Sequence, residues 1–293
     1  MQNYLNQFSN RLVRDLAWAI ASPPLVSGII DNTTWWNSKD CIREFNACLP
    51  ALLKLEKDPS ALIKHLGQLQ SQRLGLYFEG LIAFWLKVSP NYQLLNHNIQ
   101  IIEEGITHGE IDFVVRDLQL QKTIHLEVAV KFYLGSPPSE NPFCWYGTNT
   151  KDQLGRKLHH LRSHQTQLSH RYQNHLEHKI DEKHCLIKGR LFYPFNISTS
   201  PAGVNISDDH LRGRWEYVGN QSNNKNIIPI EKNRWLADLN HNDILECIES
   251  GADSTGLNNI RRARCYVKYS EKNKQYNEKY RIFFLPDEFS FPN

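Results

Sequence analysis

Apolar positions recur at helical spacing through the first 67 residues. In NRLVRDLAWAIA, Leu12, Leu16 and Ala19 or Ile20 keep that spacing until Ser22-Pro23-Pro24 stops it, and SKDCIREFNACLPALLKLEK continues the pattern. DPSALIKHLG adds a shorter helix, with a cap at Asp58 or Ser60 and a glycine stop. The next stretch, SQRLGLYFEGLIAFWLK, is different. Leu74, Tyr77, Phe78, Leu81, Ile82 and Trp85 form one stripe, while Leu76, Ala83 and Leu86 make the opposite side apolar, which predicts a helix buried nearly all round. Glu79 is its one strongly ionisable side chain between Leu74 and Leu86, and burial penalises that charge unless a cation compensates.

After Ser89-Pro90 the period changes to two. YQLLNHNIQII, GEIDFVV and TIHLEVAVKFYL read as strands, with a turn region over 117–122. GSPPSENPFCWYGTN reads as a loop. A long helix is predicted from 150 or 151 to 178, striped by Leu154, Leu158, Leu161, Leu168, Tyr172 and Leu176, and KHCLIKGRLFYPF follows as a strand. Beyond it, the aromatic islands GRWEYV, NRWLADL, RCYVKY and YRIFFLPDEF alternate with Asn/Ser-rich stretches, predicting short strands packed on the core with long loops between them. The expected fold class is α/β: a helical extension over 1–67, a core over 68–197 and a mixed extension over 198–293.

Strand alternation turns this pattern into candidate chemistry. Leu126, Val128, Val130 and Phe132 share one face of the third strand, and His125, Glu127, Ala129 and Lys131 share the other. On the preceding strand Glu110, Asp112 and Val114 face one way, so antiparallel pairing brings Asp112 towards Glu127 and Lys131. Phosphodiester hydrolysis needs a divalent cation to neutralise phosphate charge and activate water, and hard carboxylate oxygens suit Mg²⁺ (or Mn²⁺). Asp112, Glu127 and Glu79 supply such oxygens, and Lys131 is a candidate for orienting the water. The plainer reading is a half-exposed Glu127–Lys131 ion pair and a turn-capping Asp112.

At these residues the chain resembles the PD-(D/E)XK nuclease superfamily, whose restriction-endonuclease-like core runs α-β-β-β-α-β, with an acid on the second strand and Glu-x-Lys on the third. Asp112 in GEIDFVV and Glu127 and Lys131 in HLEVAVKF are the matching positions, and Glu79 fits the glutamate that often sits on the first helix. The resemblance implies catalytic roles for Asp112, Glu127, Lys131 and Glu79, with metal held by Asp112, Glu127 and Glu79. It places Gln153, Arg156 and Lys157, in KDQLGRK, against nucleic-acid phosphates. In the usual spacing an acid stands at position 129, where this chain has Ala129; Glu127 lies one strand repeat earlier on the same face, and Glu110 is a substitute. More narrowly, VRDLAWAIASPPL, HLEVAVKFYLG and WYGTNTKDQLGRKLHHL look like an uncharacterised bacterial family, domain of unknown function 1853.

Composition narrows the partners. The net charge is only +3, but 151–190 holds nine Lys/Arg against four Asp/Glu, with seven histidines, and RRARCYVKYSEKNKQYNEKYR is basic and tyrosine-rich. Such patches suit a polyanion, DNA being the expected one. No apolar run has the roughly 20 residues of a membrane span and no signal-peptide pattern opens the chain, so a cytoplasmic protein without membrane contact is expected. Six scattered cysteines form no C-x-x-C pair, and neither His160/His164 nor His175/His178 belongs to an H-E-x-x-H motif. Trp35-Trp36, Trp145 and Trp215 read as core before they read as base-stacking platforms. Two functions follow as expectations: a Mg²⁺-dependent nuclease, or a catalytically inactive nucleic-acid-binding or assembly module on the same fold.

Overall fold

The computed structural model describes residues 2–71, 73–137, 141–195, 205–220, 225–251, 257 and 260–292. In chain order it contains α1 (Arg11–Ala21), β1 (Gly28–Ile30), β2 (Thr33–Trp35), α2 (Ser38–Lys57), α3 (Ser60–Leu66), α4 (Leu74–Val88), β3 (Tyr92–Glu103), β4 (Ile106–Asp117), β5 (Lys122–Gly135), β6 (Trp145–Tyr146), α5 (Leu154–Ser163), α6 (Leu168–Arg171), β7 (Glu182–Pro194), β8 (Arg212–Tyr217), β9 (Ile227–Pro229), α7 (His241–Glu249), β10 (Arg264–Lys272) and β11 (Gln275–Leu285). The strands join one mixed sheet in the order β3-β4-β5-β7-β8-β11-β10-β9, with β6 on β5 and the β1–β2 hairpin on β7. Helices flank the sheet, giving a mixed α/β architecture.

The period-two pattern decides the layers. Phe113, Val115, Ile124, Leu126, Val128 and Leu186 face α1, α2 and α4 in the largest apolar cluster. Ala129, Tyr133, Ile187 and Leu191 face the other way, against Leu154, Leu158 and Leu161 of α5. β3, β4 and β5 pair antiparallel, whereas β5 and β7 run parallel, as a crossover through α5 and α6 requires. At Gly189 of β7, φ is +140°, and a Cβ would lie 1.7 Å from the Lys131 carbonyl oxygen of β5, so only glycine fits. The C-terminus of α1 is closed by the fully buried Lys188, which donates to the Ile20 carbonyl at 3.2 Å, to the Ser22 carbonyl and to Cys41 Sγ at 3.0 Å.

Three elements depart from the sequence pattern. The helical extension contains the β1–β2 hairpin, turned by Asp31 and Asn32, both at positive φ. The helix expected over 150–178 begins at Leu154 and breaks at His164: Leu168 leaves the α5 stripe to pack with Ile101, Ile111 and Val114. The chain passes so close to β4 there that a Cβ on Gly109 would stand 2.8 Å from Leu168. The C-terminal stretch holds a long β10–β11 hairpin rather than short strands alone, together with α7, whose Asn240–Asp243 capping box starts it. Among the described residues no helix is long and apolar enough to cross a membrane.

Candidate functional site

The β4–β5 ladder ends with Phe113 opposite Leu126. One residue further, Asp112 and Glu127 fall opposite one another, and their carboxylates take up backbone donors the parted strands leave behind. Asp112 Oδ2 accepts the Val128 N–H at 2.9 Å, and Glu127 Oε1 lies 3.4 Å from the Asp112 nitrogen, which donates to it. Alternation puts both side chains on the α5 side of the sheet.

Glu127 is 2 % exposed and held by a buried chain of polar groups. His125 Nε2 stands 2.7 Å from Glu127 Oε1, and His125 Nδ1 stands 2.8 Å from Ser169 Oγ. A carboxylate only accepts, so Nε2 carries the proton and Nδ1 accepts from the Ser169 hydroxyl, an assignment taken from the network. Gln165 Nε2 donates to the Glu110 carbonyl at 3.2 Å and, more weakly, to Glu127 Oε2 at 3.4 Å. His125 was visible in the sequence through its shared strand face with Glu127. Ser169 and Gln165 carried no local signal, because only the break after α5 brings them under the sheet.

Two further carboxylates are linked to this pair through their charge. Burial raises the Asp112 carboxyl well above its ordinary value, and repulsion from Glu127 and then Glu79 adds to the rise, with the Val128 N–H and Lys157 opposing it. Burial likewise raises Glu79, with Glu110 and Glu127 repelling it and Lys157 opposing. Charge repulsion thus links Asp112 of β4 to Glu127 of β5 and Glu79 of α4, and Glu79 to Glu110 of β4 and Glu127. His160, one turn beyond Lys157 on α5, is held below its ordinary value by burial and by His164 and Lys157, and its ring stacks on His164 with centroids 4.8 Å apart.

Of the remaining sequence candidates, Lys131 and Gln153 are bonded elsewhere. Lys131 Nζ bonds Asp152 Oδ2 at 2.7 Å, and the Tyr133 hydroxyl bonds the other Asp152 oxygen at 3.0 Å. Lys131 is therefore drawn towards the loop before α5, two strand repeats from Glu127. Ala129, on the intervening position, is buried against α5. Gln153 is buried and its amide donates to the Phe143 carbonyl, while Arg156 is exposed and Lys157 half-buried on α5. Asp152 had no sequence signal, since its partner is 21 residues away on another element.

Carboxylate oxygens are the donors a hard divalent cation takes, and Lys157 offsets part of the repulsion at Asp112 and Glu79. The side chains are not closed around one point, however. Among the described residues no group of three His, Cys, Asp or Glu is arranged to hold an ion, and Glu127 Oε1 and Asp112 Oδ2 are each committed to a protein donor.

A family model described as a domain of unknown function (DUF1853) matches residues 14–285. The chain belongs to the DUF1853 family. No curated protein and no solved structure matches it. The DUF1853 match runs from within α1 to the last residue of β11, so the acidic cluster, the helices over it and the C-terminal strands all lie inside the family's extent.

Proposed function

We propose that this DUF1853 protein is a Mg²⁺- or Mn²⁺-dependent nuclease that hydrolyses phosphodiester bonds in DNA, on a restriction-endonuclease-like core. The observation that carries this reading is the Asp112–Glu127 pair, set opposite one another where β4 and β5 part, with Asp112 Oδ2 accepting the Val128 N–H at 2.9 Å and its carboxyl raised by burial, Glu127 and Glu79. The element order α4-β3-β4-β5-α5-β7 and the parallel β5–β7 pairing support the resemblance.

In this reading Asp112, Glu127 and Glu79 hold the cation, with Glu110 as a fourth oxygen donor. The cation supplies charge for the phosphate and lowers the pKa of a water. His125, itself fixed by Ser169, keeps Glu127 in one rotamer. Lys157 and the exposed Arg156 of α5 meet substrate phosphates, with Gln153 at the root of that helix. Lys131 orients the attacking water once Asp152 releases it.

One observation favours the second reading, a nucleic-acid-binding or assembly module that no longer cleaves. Lys131 is held by Asp152, and the position between it and Glu127 is Ala129, so the lysine and the acids do not meet. Purified protein incubated with labelled single-stranded, duplex and branched DNA, with and without Mg²⁺ or Mn²⁺, separates the two. The nuclease cleaves at least one substrate only with metal, and Asp112→Ala and Lys131→Ala bind without cleaving. Wild-type protein that is inert on every substrate ends the nuclease reading.

A further inference from the structure

The basic, tyrosine-rich C-terminal sequence folds into the β10–β11 hairpin, and the far half of that hairpin leaves the sheet. β9 pairs with β10 over 266–268, and β8 pairs with β11 over 282–285. Beyond these pairings, 270–281 is a two-stranded ribbon with no other strand on either edge among the described residues. Such a ribbon is marginal unless something packs on it, and α7 does so. Tyr276 stacks on His241 with ring centroids 5.4 Å apart, and its N–H donates to His241 Nδ1 at 3.1 Å. Tyr269 and Tyr276 pack with the apolar cluster that holds Ile244.

Strand alternation sorts the side chains of the ribbon. Tyr269 pairs with Glu278 and Glu271 with Tyr276 on the face turned towards α7; Ser270 pairs with Asn277 and Lys272 with Gln275 on the other. Lys272, Gln275 and Asn277 are exposed, as are Asn273 and Lys274 of the turn and Lys279 beside the bulge. None of these six side chains has a hydrogen bond or an ion pair among the described residues. Asn273 and Lys274 both have positive φ, +53° and +60°, which makes the two-residue type I′ turn whose second place favours glycine. A lysine there is strained, and it puts an ammonium group at the tip of the ribbon.

We infer that the ribbon over 270–281 enters the major groove of duplex DNA, with Lys272, Lys274 and Lys279 on the flanking phosphates. That groove, about 12 Å wide, admits a two-stranded ribbon, and a single strand offers no such groove. The outward face carries free ammonium groups beside short neutral side chains, so nothing on it repels a phosphate, while Glu271 and Glu278 lie on the α7 face. Tyrosines turned inward and lysines turned outward account for the composition of this stretch, which the acidic cluster leaves unused. The choice of DNA among polyanions rests on the nuclease reading of that cluster; the free lysines themselves do not.

The test is fluorescence anisotropy of a labelled DNA duplex with the full-length protein in EDTA, across a salt series. Lys272→Gln/Lys274→Gln is expected to weaken binding at least tenfold and to flatten the salt dependence by about 1.8 in log–log slope, at ~0.9 per phosphate contact on B-DNA. Lys274→Gly alone is expected to flatten the slope by about 0.9 while raising the melting temperature, because glycine relieves the turn as it removes the charge. Thermal melting of each variant establishes that it is folded. Wild-type protein that binds no duplex, or unchanged affinity and slope in the folded double variant, overturns the inference. So does displacement of the labelled duplex by single strand, or by polyglutamate of equal charge, as effectively as by unlabelled duplex. Protein that binds duplex through these lysines but cleaves nothing with Mg²⁺ removes the nuclease reading alone; cleavage of duplex that ignores both substitutions removes this inference alone.

Discussion

His125→Ala removes the one side chain that joins Glu127 to Ser169. His125 and Glu127 are almost wholly buried, and the 2.7 Å contact between them is a charge-assisted hydrogen bond, worth about 1.5–3 kcal/mol. The substitution also leaves the buried Ser169 hydroxyl without its 2.8 Å partner, a further cost of about 1–3 kcal/mol. The expected loss is therefore about 3–5 kcal/mol, the range for stripping one partner from a buried charged pair. Urea unfolding followed by far-UV circular dichroism reads it, with wild type, His125→Ala, Glu127→Gln and the double variant forming a cycle. In the Glu127→Gln background His125→Ala should cost about 1–3 kcal/mol less, because no buried charge is then abandoned. A loss below about 1 kcal/mol, or an equal loss in both backgrounds, refutes the buried relay.

Asp112→Asn should stabilise the metal-free protein at pH 8. The native Asp112 carboxyl is raised above the ordinary 3.8, so the native state binds more protons than the unfolded one as pH falls, and wild-type stability rises towards acid; the variant's advantage shrinks through that range and levels off only below pH 3.8, where both states are protonated, as paired thermal melts across pH will show. Gly189→Ala drives a methyl into the Lys131 carbonyl at a positive φ and should cost at least ~3 kcal/mol or prevent folding, measured by soluble yield and denaturant midpoint. Lys188→Met leaves the Ile20 and Ser22 carbonyls without their donor and should lower stability by ~2–4 kcal/mol in the same assay, where a neutral result would contradict the capping role. The part-exposed Lys131–Asp152 pair should show a coupling energy of only ~0.2–1 kcal/mol in a double-mutant cycle.

Alternation and helical period made the centre of the molecule legible. The α4 stripe, the β4 and β5 strands and the face shared by Asp112 and Glu127 all follow from the order of apolar residues between Leu74 and Gly135, because burial on one side leaves little freedom of register. The β1–β2 hairpin was written in Asp31-Asn32, a pair suited to positive φ, but strands of three residues give too short a period to read. The α7 start was written in the Asn240–Asp243 capping box, masked by the Asn-rich surroundings. Other features had no local cause. Tertiary packing of Leu168 breaks the helix at His164, and Asp152 draws Lys131 away from Glu127, so neither could be read from propensity or spacing. Gln165 and Ser169 join the site only through that break.

The proposed function requires Asp112, Glu127 and Glu79 to hold a divalent cation. Mn²⁺ titration by isothermal calorimetry, on wild type and on a folded Asp112→Asn/Glu127→Gln variant, tests it without any substrate. The nuclease reading predicts saturable binding to the wild type, tighter at pH 8 than at pH 5.5 because protons and metal compete for the same oxygens, and loss of that binding in the variant. Wild-type protein that takes up no Mn²⁺, or a variant that binds it equally well, rules out a metal site at Asp112 and Glu127.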